Sequence, residues 1–596
     1  MKKKFDPQRN YEDTKKQIGY VSRKKAVQKD YDRIGFMSGL EVHQQLLTKK
    51  KLFCNCPAGA YNKSDDYDAE LIRHMRPTLS ELGEYDGTAL MEFKTKKEII
   101  YRIKNATTCT YEVDDTPPFP LNREALDIAI EISLLSKQNI VGEVHITRKQ
   151  YLDGSIPTGF QRTAIIGVEG EIQLKHKKIR LIQLSLEEDS CREISDIGHV
   201  RVFKTDRLGM PLIETVTYPD CSNPDEVMET CDYIRFLNRS TGKVRTGIGA
   251  GREDVNVSCR GGSRVEIKGV AHTKWIPELT HKEAFRQWAL LAIRDKLLER
   301  IKDVPAWKIR YEYLKNFACE DDINKVIVLL NAEDDDAQLI VWGPEEDLKT
   351  ALETIEERCR MAFDGVPNET RKSFEDGTTI FERVLPGADR MYPDTDSPPI
   401  PLEADHIAEL GENPPDDIID RYHTMQQWGI PEDTYTYIFK KDLFPLIERI
   451  VNELGLDPKF VGTFFGHTLK FVEGHYTPSA KFNYKLIFPL FSFLKSKGLD
   501  YELIKKMMPL LYEYPKLEFE SVLTTLKFKK IPKDEILSKI GFLKEIFEKT
   551  GRSQKKENAF NWIMGELRTA AVGNINMAGL GKEVRREMGE DIGYKV

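Results

Sequence analysis

The sequence predicts an α+β protein built around a mixed β-sheet, followed by a small α/β unit and an all-helical C-terminal part. Three observations carry that prediction. From about Gly35 to Lys268, apolar residues recur at every second position in runs broken by Gly, Pro, Asn and Asp, the period of strands with one buried face. Two apolar runs, Val326–Leu330 and Gln338–Trp342, precede the helical repeat PEEDLKTALETIEERCRMAF and read as two strands and a helix. Beyond Glu403 the apolar spacing becomes three and four residues almost throughout.

Taken in order, residues 1–33 form a basic extension with 11 Lys/Arg against 5 Asp/Glu, either a phosphate-facing surface or a solvated tail. The sheet domain occupies 34–303. It is interrupted by a helix in NREALDIAIEISLLSKQ, where Leu126, Ile130 and Leu134 lie four apart behind a capping Asn122. A second helix runs from about Thr280 to Lys302. The small α/β unit covers 304–366, within an acidic region: residues 331–370 hold 3 basic and 12 acidic side chains. Residues 367–404 complete the sheet domain and carry the Pro-rich connector LPGADRMYPDTDSPPIPL. A helical domain occupies 405–532, with Leu443, Ile447, Ile450 and Leu454 lining one face of KDLFPLIERIVNEL. The last helical module, 533–596, begins after the break at KKIPKDE.

At 596 residues the chain exceeds a single hydrophobic core. Its nine Cys are an odd number and mostly isolated, the pattern of reduced thiols. The longest apolar stretch, LIFPLFSFL from Leu486, is far short of a membrane span, and no apolar run comes after the Met-Lys-Lys-Lys start. The expectation is a cytoplasmic protein with no membrane partner. The net charge of -7 argues weakly against a nucleic-acid partner, but a local basic surface binds phosphates whatever the global sign.

The chemistry lies in strand-like segments that set carboxylates against an apolar alternation. In GLEVHQQL, Leu40 and Val42 point one way, Glu41 and His43 the other. LIQLSLEED ends on Glu187, Glu188 and Asp189, and parity does not choose between the two glutamates because the strand stops there. In GMPLIETV, Glu214 shares parity with Leu212 and Val216, so it needs a cation or a hydrogen-bond donor beside it. Asp254 alternates with Val255 and Val257; Glu266 and Lys268 alternate with Val265 and Ile267. Each segment alone reads as an ordinary wet face. Together, hard carboxylates with one imidazole suit a hydrated divalent ion such as Mg²⁺ bridging to a phosphate, which points to phosphoryl transfer.

Three other motifs carry nothing. STGK at Ser240–Lys243 fails as a phosphate loop, since Leu237 and Val244 stand where Gly and Ser/Thr belong. GIGAG at Gly247–Gly251 reads as a turn. Cys54 and Cys56 form half a zinc knuckle, but the next cysteine is the lone Cys109, so no zinc is expected. No Ser/His/Asp, Cys/His or amidase-like nucleophile motif occurs, so the chain is not expected to generate ammonia.

These segments resemble the GatB/GatE family, formed by the B-type subunits of the bacterial Asp/Glu-tRNA amidotransferases and their archaeal, E-type relatives. The resemblance rests on Gly39–His43, Leu52–Cys56, Arg148–Tyr151, Leu186–Asp189, Gly209–Glu214, Asp254–Ser258, Glu266–Lys268, Glu369–Arg371, Leu385–Pro393 and the tail NAFNWIMGELRTAAVGNIN. It implies a catalytic cradle domain, a shortened insertion like that of bacterial aspartyl-tRNA synthetases around 326–355, and a tRNA-contacting tail. It also implies a carbon–nitrogen ligase that amidates Glu-tRNA(Gln): the glutamyl carboxylate is phosphorylated by ATP with Mg²⁺, and ammonia displaces the phosphate. Ammonia would come from an asparaginase-like D-type partner in a heterodimer, paired into a tetramer of two D-type and two E-type subunits. Glu41, His43, Glu188 and Glu214 are implied as catalytic and metal ligands, with Glu187 and Asp254 as further ligands. Arg148, Lys149, Arg207 and Lys268 are candidates for the nucleotide's phosphates, with Asp254 beside them. Two rival readings remain: a non-catalytic tRNA-binding scaffold, and an adenylate-forming synthetase, for which neither H-I-G-H nor K-M-S-K-S is found.

Overall fold

The computed structural model describes residues 6–63, 65–75, 93, 96–151, 153–247, 249–313, 320–332, 336–337, 339–385, 391–551, 553 and 555–589. They divide into two compact units, 1–415 and 416–596.

The first unit is organised by an 11-stranded sheet. In chain order its strands are β1 (Met37–Gln45), β4 (Asn139–Ile140), β6 (Ile146–Gln150), β7 (Phe160–Gln173), β8 (Lys178–Glu188), β11 (Pro211–Thr217), β12 (Gly251–Ser258), β13 (Val265–Val270), β14 (Glu369–Ser373), β15 (Thr379–Val384) and β16 (Met391–Pro393). The spatial order is β15-β14-β13-β12-β1-β11-β8-β7-β6-β16, with β4 on β7. Every pairing is antiparallel except β13 with β14, so the sheet is mixed, as the period-2 runs predicted. A separate four-stranded sheet joins β2 (Ala69–Arg73), β3 (Glu98–Ile103), β10 (Val200–Lys204) and β9 (Arg192–Ile197); β5 (Glu143–Val144) pairs with β17 (Ile400–Pro401).

Alternation splits the large sheet into an apolar face and a polar one whose side chains are also largely buried. Leu40, Val42, Leu184, Leu186, Val255, Val257, Val265 and Ile267 are all 0–1% exposed. Helices Arg123–Leu135, Pro224–Ser240 and Ile276–Arg300 pack against the sheet's strands, and burying each such side chain contributes about 1.5–3 kcal/mol before the loss of conformational entropy is subtracted. The first helix starts where expected, Asn122 accepting from the Ala125 amide; the second, which the sequence reading did not single out, is capped by Asn223, which accepts from the Glu226 amide ahead of Pro224. The basic extension is folded over its described length: Asp6 caps helix Pro7–Gln17, and Tyr20 sits edge-on to His281 and Phe285.

The small unit after residue 303 corrects one prediction. Val326–Leu330, read as a strand, lies mostly in helix Glu320–Leu329, and 339–342 form no strand; Gln338 is outside the described residues. Val326, Ile327 and Leu330 are half-buried while Val328 and Leu329 are exposed, the i, i+1, i+4 stripe of a helix. A five-residue apolar run does not separate the two states by period. The expected helix is present as Glu345–Asp364. Residues 386–390 of the connector lie outside the described residues; immediately after them, β16 closes the sheet edge against β6.

The second unit is helical. Leu443, Ile447 and Ile450 are buried along the Phe444–Leu454 face. A tail core of Ile536, Ile540, Ile563, Leu567, Leu580 and Val584 joins helices from Lys533–Leu537 to Met577–Glu587. Among the described residues no helix is long and apolar enough to cross a membrane.

Candidate active site

The polar face of the sheet gathers the predicted acids by register alone. β1 pairs with β11 and β12, placing His43 opposite both Glu214 and Arg252, and Glu41 opposite Asp254. β8 sets Glu187 opposite Leu212 and Ser185 opposite Glu214; β13 sets Glu266 opposite Asn256. Paired residues of an antiparallel ladder point to the same side, so Glu41, His43, Glu187, Glu214, Asp254 and Glu266 share one surface.

Their contacts divide them into two groups. Glu214 Oε1 lies 3.1 Å from His43 Nε2, and its other oxygen 3.9 Å from Lys149 Nζ. Burial would raise the Glu214 carboxyl, but Lys149 and the bond with His43 hold it well below the usual range. Burial and the neighbouring Glu214 push Glu187 up to about 8. In the second group, Asn256 Nδ2 donates to Glu41 Oε1 at 3.0 Å, Lys268 Nζ donates to Asp254 Oδ2 at 2.9 Å, and Lys268 also pairs with Glu266. Burial and the nearby Glu266 and Glu214 raise Glu41 to about 7. Asp254 is held low despite burial, by Lys268 and His43.

Glu41, Asp254 and Glu266 offer carboxylate oxygens within 4.8 Å of one another. Two acceptors on this face have no partner: Glu187 Oε1 and Asn256 Oδ1 are buried without a hydrogen bond, as is His43 Nδ1. Orphaned buried oxygens crowded by like charge are costly unless a cation joins them. The donor set of hard oxygens beside one imidazole fits Mg²⁺.

The remaining predicted residues are used differently. Glu188 points to the other side, accepting from Tyr111 Oη at 2.6 Å and the Arg162 amide at 3.1 Å. Arg148 donates to Asp394 at 2.6 Å and Asp396 at 2.7 Å, fastening the connector to β6. Arg207 donates to the Ser190 and Cys191 carbonyls. Sequence reasoning missed Arg252, which shares strand parity with Asp254 two residues on, and it left Glu266 out of the ligand set. Asp189, at the end of β8, accepts from Gln45 Nε2 at 2.8 Å and Arg252 Nη1 at 3.0 Å.

The cysteine pair has a neighbour that sequence distance concealed. Cys54, Cys56, Cys109 and Glu112 bring one ligand atom each within 4.8 Å. Glu112 is also engaged by the fully buried Lys51, whose Nζ donates to it at 2.5 Å and to the Thr107 carbonyl at 2.6 Å. Gly209, at φ +73, turns the chain so that its amide donates to Asp189 O and its carbonyl accepts from Leu52 N, joining this corner to the acid face.

Residues 36–408 match the model of the GatB/GatE catalytic domain. The chain is 32% identical over 619 residues to the E-type subunit of the glutamyl-tRNA(Gln) amidotransferase of Methanocaldococcus jannaschii, covering 92% of this chain and 98% of the relative. It is 33% identical over 625 residues to the protein of the same name from Saccharolobus solfataricus, covering 92% and 97%. To that of Methanopyrus kandleri it is 34% identical over 515 residues, covering 74% and 80%.

Proposed function

The chain belongs to the GatB/GatE family, and on that premise we propose that it is the tRNA-dependent amidotransferase component that converts Glu-tRNA(Gln) into Gln-tRNA(Gln). The observation that carries the proposal is the set of buried, like-charged carboxylates on one sheet face with orphaned oxygens. A scaffold that only carried tRNA would bear the desolvation of Glu187, Glu214 and Glu266 with no return.

In this reading the substrates are Glu-tRNA(Gln), ATP and ammonia. Glu41, Asp254 and Glu266, with Glu187 and Glu214 beside them, would hold Mg²⁺, which when bound supplies charge neutralisation for phosphate oxygens. The chain's own residues do the rest. His43, fixed by Glu214, faces the reacting groups; Lys149 keeps Glu214 ionised; Lys268 holds Asp254 and Glu266 in place and limits their repulsion. Carboxylates so arranged position the glutamyl side chain and exclude bulk water, so that its acyl phosphate is met by ammonia before hydrolysis. Ammonia would come from an asparaginase-like partner, since no amidase-like nucleophile motif occurs in this sequence.

The test is ATP hydrolysis that requires both Glu-tRNA(Gln) and Mg²⁺. Glu214→Gln should lower that rate by about a hundredfold or more while tRNA affinity persists. Turnover at the parent rate in the variant would make Glu214 a merely structural acid and sink the reading.

A further inference from the structure

We propose that Arg252 contacts the γ-phosphoryl group as it leaves ATP, and that Asp189 is the positioning residue that aims it; this rests on the phosphoryl-transfer reading above.

The other cations near the acid face are already committed. Lys268 is held by Asp254 and Glu266. Lys149 faces Glu214. Arg148 is clamped by Asp394 and Asp396, and Arg207 by two backbone carbonyls and Asp189. Arg252 differs. It stands opposite His43 in the β1–β12 ladder and two residues from Asp254 on the same strand, so its side chain rises from the same face. Its side chain is one-third exposed, and among the described residues Asp189 alone takes a hydrogen bond from it. One bond leaves most of the five N–H donors of a guanidinium uncommitted, and they form the planar fork that suits phosphate oxygens.

Asp189 is built for orientation. It is 1% exposed, and besides Arg252 it accepts from Gln45 Nε2 and the Ser190 amide. Arg207 Nε lies 3.6 Å and Arg252 Nη1 3.0 Å from its Oδ1. A fixed anion behind a partly exposed guanidinium sets where that guanidinium points.

In the transfer, a glutamyl carboxylate oxygen bonds to the γ-phosphorus while the bond from that phosphorus to the bridging oxygen breaks, its electron pair leaving with ADP. No proton and no redox partner is needed. The equatorial oxygens carry charge throughout, and a preorganised guanidinium beside them stabilises the transition state.

The experiment uses the full chain and two probes, a non-hydrolysable ATP analogue and ADP, in equilibrium binding, with turnover on Glu-tRNA(Gln) measured alongside. Arg252→Met should weaken the analogue at least tenfold, leave ADP within twofold and lower kcat on the order of a hundredfold. Arg252→Lys keeps a charge near Asp189 and guards against misfolding; it should fold, bind tRNA normally and still lose most of the turnover, because an ammonium lacks the fork. Asp189→Asn should discriminate less sharply between analogue and ADP, with kcat reduced and KM for tRNA unchanged. Equal weakening of analogue and ADP, or a raised KM for Glu-tRNA(Gln) with nucleotide binding intact, overturns the assignment. Parent-like behaviour of Arg252→Lys overturns it too. A parent chain that binds neither nucleotide would instead refute the phosphoryl-transfer reading itself.

Discussion

Glu187 and Glu188 are adjacent, and the fold treats them as opposites. The sequence left them undecided because the strand ends there; in the structure the ladder carries Glu187 onto the acid face, and Tyr111 and Arg162 occupy Glu188. Glu214 was legible, since a carboxylate in an apolar register announces its need for partners, here His43 and Lys149. Arg252 was not, because an arginine beside a strand start is usually solvated. Glu187 also carries a measurable cost. Without a cation, its carboxyl is raised from 4.5 to about 8 by burial and by Glu214. As pH rises through that window the unfolded chain loses a proton that the folded chain keeps, so stability falls from about pH 4.5 to about pH 8 and is level outside it. Glu187→Gln should therefore stabilise the cation-free protein by roughly 1–2 kcal/mol at pH 8, and the gain should vanish near pH 4.5. Thermal melts across that range in chelator check this; a gain that does not depend on pH would mean the variant merely packs better.

At the scale of elements, the strands of the sheet domain and its Asn122-capped helix were readable because two-residue alternation and an Asn cap are local signals. The strand at Val326–Leu330 was misread because a short apolar run says nothing about period. The corner containing Lys51 and Glu112 was invisible for a different reason: its parts come from segments far apart in sequence, including the turn before β11. Lys51→Met should cost about 3–5 kcal/mol, because Glu112 is left buried without its cation. Adding Glu112→Gln to it should recover a large part of that loss. Melting temperatures of the single and double variants decide the point, and additive losses would show that the pair matters only through packing.

For the whole molecule, the tail has its own core of Ile536, Ile563, Leu567 and Leu580, and Gly573 and Asn574 bond it to Asp500, Lys529 and Ile531. Its charge surplus is small, 10 basic against 8 acidic residues over 541–596, with Lys555, Lys556, Arg568, Lys582, Arg585 and Arg586 among them. Any RNA contact there would have to come from shape and from arrangement on one face. Deleting 533–596 should weaken tRNA binding far more than ATP binding and flatten its salt dependence; unchanged affinity and slope would remove the tail from the tRNA surface. The isolated chain should also accept free ammonium but neither Asn nor Gln as nitrogen donor; asparaginase or glutaminase activity in the pure chain would refute this.

The order of the strands has one more consequence, in time rather than in space. β1, the earliest strand, is flanked by β11 and β12, among later ones. On a ribosome adding about 5–20 residues per second, the roughly 200 residues that separate Gln45 from Ser258 leave Glu41 and His43 without their full set of neighbours for about 10–40 s. The first acids of that sheet face are thus made long before anything exists to shelter them. During synthesis the nascent chain should stay protease-sensitive at β1 until β12 has emerged, and then become resistant within a short further stretch of translation.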